Sequence, residues 1–248
     1  MKVKLFNIEI DALSMRQTLD IVEDAVANDK HIHHTVVNAG KIVLMQEDKE
    51  LEKSVNEADL INADGQAVVW ASKMLGSPLP ERVSGIDLME KLVKRSFEKG
   101  YRCYFLGAEE DVVSNLITLY KKKYSNNVIA GYRNGYFKKS DEKRIAKVIS
   151  QSNANILFVA ITSPKKEIFL NTYKKELKNI NFIMGVGGSF DVIAGKVNRA
   201  PKWMQDIGFE WLYRVIQEPR RMFMRYLVGN TKFIYLVLKE FFLLNRKI

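Results

Sequence analysis

Residues 58–70 read ADLINADGQAVVW, and the reading of this stretch decides the fold. A short apolar run at Leu60-Ile61 is followed by Asp64-Gly65 and then at once by Ala67-Val68-Val69-Trp70. Asp-Gly between two strands signals a hairpin turn. A second strand after it would give an antiparallel pair, whereas a helix would make it the exit from a parallel strand. The surrounding chain favours the helix. Strand-like runs at 33–37, 60–63, 101–106, 128–131, 156–161 and 182–186 alternate with amphipathic stretches. Those stretches fall at 14–28, 41–53, 66–75, 86–99, 111–124, 141–151 and 164–178. Ser14 and Ser140 suit N-caps, and Pro164 suits a first helical turn. With an N-terminal hairpin inside residues 3–10, the pattern predicts an α/β fold: a mostly parallel sheet with helices on both faces.

In such sheets, ligands bind outside the carboxyl ends of the strands. The residues there are Asn38-Ala39-Gly40, Asp64-Gly65-Gln66, Gly107-Ala108-Glu109, the run 162–166 and Gly185-Val186-Gly187-Gly188-Ser189. Glycines and small polar residues let backbone approach closely and leave helix N-terminal N–H groups open to phosphate. Gly107 and Gly187 are thereby candidate substrate-binding positions. Asp64 ends a buried strand at the mouth of this site, and Gly65 allows a sharp turn into the next helix. Two readings of Asp64 stay open: a functional carboxylate, or merely the N-cap of the helix beginning at Gln66, worth about 1 kcal/mol. Neither a G-x-G-x-x-G fingerprint nor a phosphate-binding Walker loop is present.

The chain has 248 residues, is 47% hydrophobic and carries a formal net charge of +10. That charge favours a polyanionic partner. The N-terminus alternates charged and apolar residues, with neither a signal-peptide core nor an apolar span of about 18 residues; a cytoplasmic protein is expected. The single cysteine, Cys103, lies in an apolar run and reads as a core thiol. His31, His33 and His34 cluster without a suitably spaced carboxylate, so they read as a solvated start of a strand rather than a metal site.

Beyond Ser189 the composition changes. Residues 196–248 hold eleven basic and four acidic side chains, seven of the ten net positive charges. Aromatic residues lie among them, and the chain then runs FIYLVLKEFFLLNRKI at 233–248. Charges interrupt that run, which suits an amphipathic helix in a membrane interface better than a spanning one. Packing on the body or against a second copy, as a homo-oligomer, remains an alternative. No DNA- or RNA-binding motif accompanies the charge, so no nucleic acid is expected. Arg214, Arg221 and Arg225 are spaced so that they could clamp a diphosphate. The expected division is a body at 1–195 and a helical appendage at 196–248.

The stretch GVGGSFDVIAGKVNRAPKWMQDIGFEWLYRVIQEPRRMFMRY at 185–226 closely resembles the signature of the WecG/TagA/CpsF family of bacterial glycosyltransferases. Further matches are VVNAGKIVLMQED (36–48), ADLINADGQAVVW, ERVSGIDL (81–88), YFLGA (104–108) and GYRNGYF (131–137). The resemblance implies a Rossmann-like body and an inverting enzyme that needs neither a metal nor another cofactor. It implies transfer of a sugar, N-acetylmannosamine or another hexose, from a UDP-sugar donor to a polyprenyl-diphosphate-linked acceptor. The products would be teichoic acid or other surface polysaccharide, made by a peripheral protein on the inner face of the cell membrane. Carried over by position, Asp64 falls on the family's base, Asn38 on its site asparagine, and Arg82 on the arginine of its ERV-G motif. Arg214, Arg221 and, with one residue of slippage, Arg225 match its appendage arginines. Two departures stand out. Val36 replaces the threonine of a Thr-x-Asn pattern, and Lys166 replaces the glutamine of a PKQE pattern, so an amide that contacts substrate becomes a cation. A non-catalytic nucleotide-sugar-binding or regulatory protein is therefore the alternative.

Overall fold

The computed structural model describes residues 1–245; residues 246–248 and the side chains of Arg221, Leu244 and Asn245 lie outside that description. An antiparallel hairpin comes first, β1 (Lys2–Leu5) with β2 (Ile8–Asp11). Its two-residue turn puts Phe6 (φ 50°) and Asn7 (φ 64°) in the left-handed region, which matches the twist of the flanking strands. There follow α1 (Met15–Ala27), β3 (Ile32–Val37), α2 (Ala39–Glu47), α3 (Lys49–Asn56), β4 (Leu60–Ala63) and α4 (Gln66–Met74). Next come α5 (Gly85–Lys99), β5 (Cys103–Gly107), α6 (Glu110–Lys123), β6 (Ile129–Arg133), α7 (Glu142–Ser150), β7 (Ile156–Ala160), α8 (Lys165–Thr172) and β8 (Phe182–Gly185). The chain then runs through α9 (Ser189–Ile193), α10 (Lys202–Asp206), α11 (Glu210–Gln217) and α12 (Pro219–Asn245).

Strands β3 to β8 pair in parallel as one sheet, in the order β4-β3-β8-β7-β5-β6. The expected α/β architecture is thus the observed one, and the Asp64-Gly65 turn is a strand-to-helix exit. Apolar side chains cover both faces, as a parallel sheet requires. Phe105, Phe158 and Phe182 pack with Leu92 and Leu116 on one side, and Leu106, Leu157 and Val159 with Ile145 and Phe169 on another. A further cluster joins the hairpin (Ile8, Ile10) to Ile61, Ile42 and Val68, and takes in Phe233 and Val237 of α12. Asp11 Oδ2 accepts the Ile61 N–H at 2.8 Å, which engages one of the outward-facing donors of the edge strand β4.

Three expectations are corrected. The helix expected at 41–53 is two helices broken at Asp48, whose backbone is extended (φ −113°, ψ 100°) and whose side chain accepts the Leu51 N–H of α3. An aspartate inside a helix competes for backbone donors in this way. Ser14 does cap α1, with Gln17 completing a capping box. Ser140, however, sits in a 3-10 turn at Lys139–Asp141, and α7 starts after Asp141 without a side-chain cap. The histidines are not a solvated strand start. Because β3 lies between β4 and β8, His33 and His34 are 5% and 0% exposed. Desolvation pushes His33 down to about 4 and His34 to about 3. His34 Nε2 donates to Asn62 Oδ1 at 3.0 Å. Cys103 is the core thiol expected, fully buried against Ser96 Oγ, and burial pushes it up to about 12.

Candidate active site

Asp64 leaves β4 with its backbone N–H on Val37 O (2.9 Å), while the next loop returns to β4 through Val83 N–H on Ala63 O (2.9 Å). That return brings Gly85, the first residue of α5, over the carboxylate, and Asp64 Oδ1 accepts its N–H at 3.0 Å. Asp64 is therefore not the cap of its own following helix: Gly65 holds the N-cap position of α4 and no side chain caps it. It caps α5 instead, where the helix dipole favours a negative charge. The side chain is half-buried, and among the described residues Oδ2 makes no hydrogen bond.

Asn38 ends the neighbouring strand. It caps α2 through Oδ1 on the Lys41 N–H (3.0 Å) and is exposed. A Cβ on Gly65 would lie 3.2 Å from Asn38 Cβ and 3.4 Å from its Cα. Glycine at 65 thus lets the two exits close on each other and sets Asp64 beside Asn38.

Beneath this edge lies a buried ion cluster. Lys166 Nζ stands 2.5 Å from Glu167 Oε1, and Lys41 Nζ stands 2.7 Å from the same oxygen. Lys41 also reaches Thr35 Oγ1 at 3.4 Å. All three charged side chains are below 10% exposed. The Lys166 stem crosses Gly185, where a Cβ would come within 2.3 Å of Lys166 Cε. Glu167 is held down at about 2: burial opposes this, but Lys41 and Lys166 outweigh it. Lys166 is lowered to about 8, first by desolvation and then by Lys41, with Glu167 and Asp64 pulling the other way. The cation expected to meet substrate is therefore 5% exposed and already paired.

Arg82 Nη1 lies 3.3 Å from Glu210 Oε2 of α11. Arg199 grips Asp87 through both outer nitrogens, at 2.7 and 2.8 Å, with its Nε 4.0 Å from Glu210 Oε1. Burial opposes ionisation of Asp87, yet the Arg199 contact keeps its carboxyl below the usual range. Arg214 sits one turn beyond Glu210 on α11 and is half-buried. Arg225 is exposed on α12, and no contact among the described residues links it to the other candidates. Arg221 has its backbone in α12, while its side chain lies outside the described residues. Gly107 adopts φ 136° and a Cβ there would lie 2.3 Å from Ala160 O, whereas Gly187 (φ 52°) faces open space. Among the described residues, no group of three His, Cys, Asp or Glu side chains is arranged to hold a metal ion.

Lys41, Glu167, Arg199 and Glu210 were not among the sequence candidates. Lys41 lies one turn after a strand exit, but neither its burial nor its partner is marked by any spacing, because Glu167 approaches it from α8, which follows β7, a strand two places from β3 in the sheet.

A parallel sheet whose carboxyl edge presents a held carboxylate, glycine turns and clustered cations is the framework of an α/β enzyme suited to a phosphorylated substrate. The chain belongs to the glycosyl transferase WecG/TagA/CpsF family, whose model matches residues 3–247. It is thus a glycosyltransferase. Over 189 residues it is 35% identical to an N-acetylglucosaminyldiphosphoundecaprenol N-acetyl-beta-D-mannosaminyltransferase of Bacillus spizizenii, covering 76% of this chain and 72% of the relative. The protein of the same name from Bacillus subtilis is 34% identical over 193 residues, covering 78% and 73%.

Proposed function

We propose that the protein transfers N-acetylmannosamine from its UDP-sugar to N-acetylglucosamine on a polyprenyl diphosphate, with inversion, and that Asp64 is the general base. The observation that carries the base assignment is the division of labour between its oxygens: Oδ1 is anchored on the Gly85 N–H, and Oδ2 makes no hydrogen bond among the described residues. An anchored carboxylate with one unengaged oxygen can take a proton from an acceptor hydroxyl while the hydroxyl oxygen attacks the anomeric carbon. Asn38, adjacent across Gly65, would hold the acceptor or sugar hydroxyls through its amide. Arg82 and the appendage arginines Arg214, Arg221 and Arg225 would balance the leaving diphosphate. Gly107 and Gly187 would admit the phosphates to helix N-termini. The printed names of the two Bacillus relatives support the choice of sugar and acceptor.

The appendage is read as the membrane-facing part. No helix among the described residues is long and apolar enough to cross a membrane. Yet α12 leaves Ile234, Leu238 and Phe242 exposed at 57%, 45% and 61%, in a segment rich in basic residues. Such a helix suits the interface of an anionic inner leaflet, where a lipid-linked acceptor would reside.

The test is UDP release from a panel of UDP-hexoses with a short-chain polyprenyl-diphosphate-N-acetylglucosamine acceptor. Acceptor-dependent release with UDP-N-acetylmannosamine is expected. Release from another UDP-hexose alone would replace the sugar, and release from none would overturn the transfer reading.

A further inference from the structure

Residues 82–87 carry the donor that holds Asp64, and this short segment is gripped at both ends from beyond residue 195. At its start, Arg82 Nη1 meets Glu210 Oε2 at 3.3 Å. At its end, Asp87 in the first turn of α5 receives both outer nitrogens of Arg199, at 2.7 and 2.8 Å. Between them lies Gly85, whose N–H reaches Asp64 Oδ1 at 3.0 Å. The two grips also adjoin each other. Among the described residues the covered Nε of Arg199 makes no hydrogen bond, and it stands 4.0 Å from Glu210 Oε1. Apolar packing does not replace these grips. Leu88, Met89 and Leu92 bury α5 in the core, but apolar contact is non-directional and places the helix without fixing how its first turn faces. Gly85 has no side chain, and Ile86 and Asp87 are half-buried. A guanidinium fork on a carboxylate fixes both distance and plane. Val83, tied to Ala63 O, fixes the loop ahead of Gly85, and Arg199 fixes the turn after it.

We propose that Arg199 is a positioning residue: by holding Asp87 it fixes the Gly85 N–H, and through it the orientation of the Asp64 carboxylate. Its role rests on the transfer reading above. The acceptor oxygen bonds to the anomeric carbon, the electron pair of the broken carbon–oxygen bond leaves with UDP, and the hydroxyl proton goes to Asp64. That proton transfer depends on where the free oxygen of Asp64 points, and a misplacement of about 1 Å costs on the order of 10²-fold in rate. The segment beyond residue 195 thereby acts on the base as well as on the leaving group. Arg199 makes no contact with Asp64 itself, so its effect passes through the first turn of α5. A lysine at 199 would keep the charge but lose the fork.

The experiment pairs UDP release with amide NMR of the full chain labelled on its 14 glycines. Gly85→Ala, where a Cβ meets nothing within 4 Å, identifies the Gly85 signal, and Asp64→Asn shows how far that signal moves when the charged acceptor is lost. In Arg199→Gln and in Asp87→Asn the Gly85 amide proton is expected to move in the same direction as in Asp64→Asn. In both, kcat should fall about tenfold or more while the donor KM stays within about threefold. The double variant should fall no further than the weaker single one, as for two partners of one contact, and Arg199→Lys should lie between Arg199→Gln and wild type. Ile149→Val, in the core under α7, should lower the melting temperature while leaving kcat and the Gly85 signal in place. If circular dichroism shows that Arg199→Gln does not fold, the nearly isosteric Asp87→Asn carries the same readouts. A Gly85 signal unmoved in the variants, or a loss confined to KM, overturns the positioning role and leaves sugar transfer intact. Wild type that turns over no donor, with the Gly85 signal still moved by Arg199→Gln, overturns the transfer reading and leaves Arg199 as the residue that orients Asp64.

Discussion

Arg82 Nη1 of the body stands 3.3 Å from Glu210 Oε2 of α11, with both side chains at or below 20% exposed. Arg82 lies in the loop that delivers Gly85 to Asp64, so the placement of α11 and the placement of the carboxylate share one structural element. Glu210→Gln would leave Arg199 on Asp87 but release Arg82. The substitution is expected to weaken docking by about 1 kcal/mol. Amide hydrogen exchange across 210–217 should then speed up about fivefold, and unchanged exchange would show that the pair does not hold α11.

Asp64→Asn keeps an oxygen that can accept the Gly85 N–H, so the melting temperature should stay within a few degrees of wild type. Turnover, in contrast, is expected to fall about 10²- to 10⁴-fold, the usual contribution of a positioned base. A variant with wild-type kcat would return Asp64 to the role of a cap on α5.

The two candidate glycines separate by mechanism. Gly107→Ala would place a methyl 2.3 Å from a backbone carbonyl at φ 136° and should destabilise the chain by about 3 kcal/mol or more. Gly187→Ala, at φ 52° with nothing within 4 Å, should lose about 1 kcal/mol. Urea denaturation of both would check this. Equal losses would mean that the exit of β5 relaxes around a side chain.

Acid should destabilise the fold before the carboxylates titrate. His33 and His34 bind protons at 6.5 when unfolded but only near 4 and 3 when folded. Their stabilising contribution is complete above pH 6.5 and is lost as pH falls from there towards 3. The slope is roughly 1.4 kcal/mol for each ring and each pH unit in which only the unfolded chain is protonated. Urea midpoints measured from pH 7 to 4.5 should fall accordingly, and His34→Asn should flatten the curve. A flat wild-type curve would rule out buried neutral histidines.

On α12 two faces are expected to behave differently. Phe233→Ala, in the core at 5% exposure, should lose about 3–5 kcal/mol. Replacing Ile234, Leu238 and Phe242 together with glutamine should leave stability nearly unchanged and reduce co-sedimentation with anionic vesicles severalfold. Undiminished vesicle binding would move the membrane contact elsewhere. Point substitutions are preferable to deleting the appendage, since Phe233 and Val237 complete the cluster under the hairpin.

The alternation of β-branched runs and amphipathic stretches made the parallel sheet legible, because burial on both faces leaves a compositional mark on each strand. The same burial hid His33 and His34: a strand between two neighbours looks, in sequence, like one that starts in water. Asp64 was legible as a strand-end residue, but its cap partner was not, since Gly85 arrives from a loop whose path no local spacing encodes. Lys166 read as a cation meeting substrate because neither its burial nor its pairing with Glu167 leaves a local mark, and Lys41 joins only when β8 holds β3 and β7 on its two sides.

The ring of Phe6 lies 5.5 Å from that of Phe233, and the Phe6 N–H donates to Glu240. The first turn of the chain thus closes against its last long helix. During synthesis Phe6 leaves the ribosome more than 200 residues before Glu240, so its contacts with α12 form long after Ile42, Ile61 and Val68 are available to cover Ile8 and Ile10. Closure of this corner of the core is consequently later than assembly of the sheet beside it, and α12 is the piece whose emergence covers Phe6.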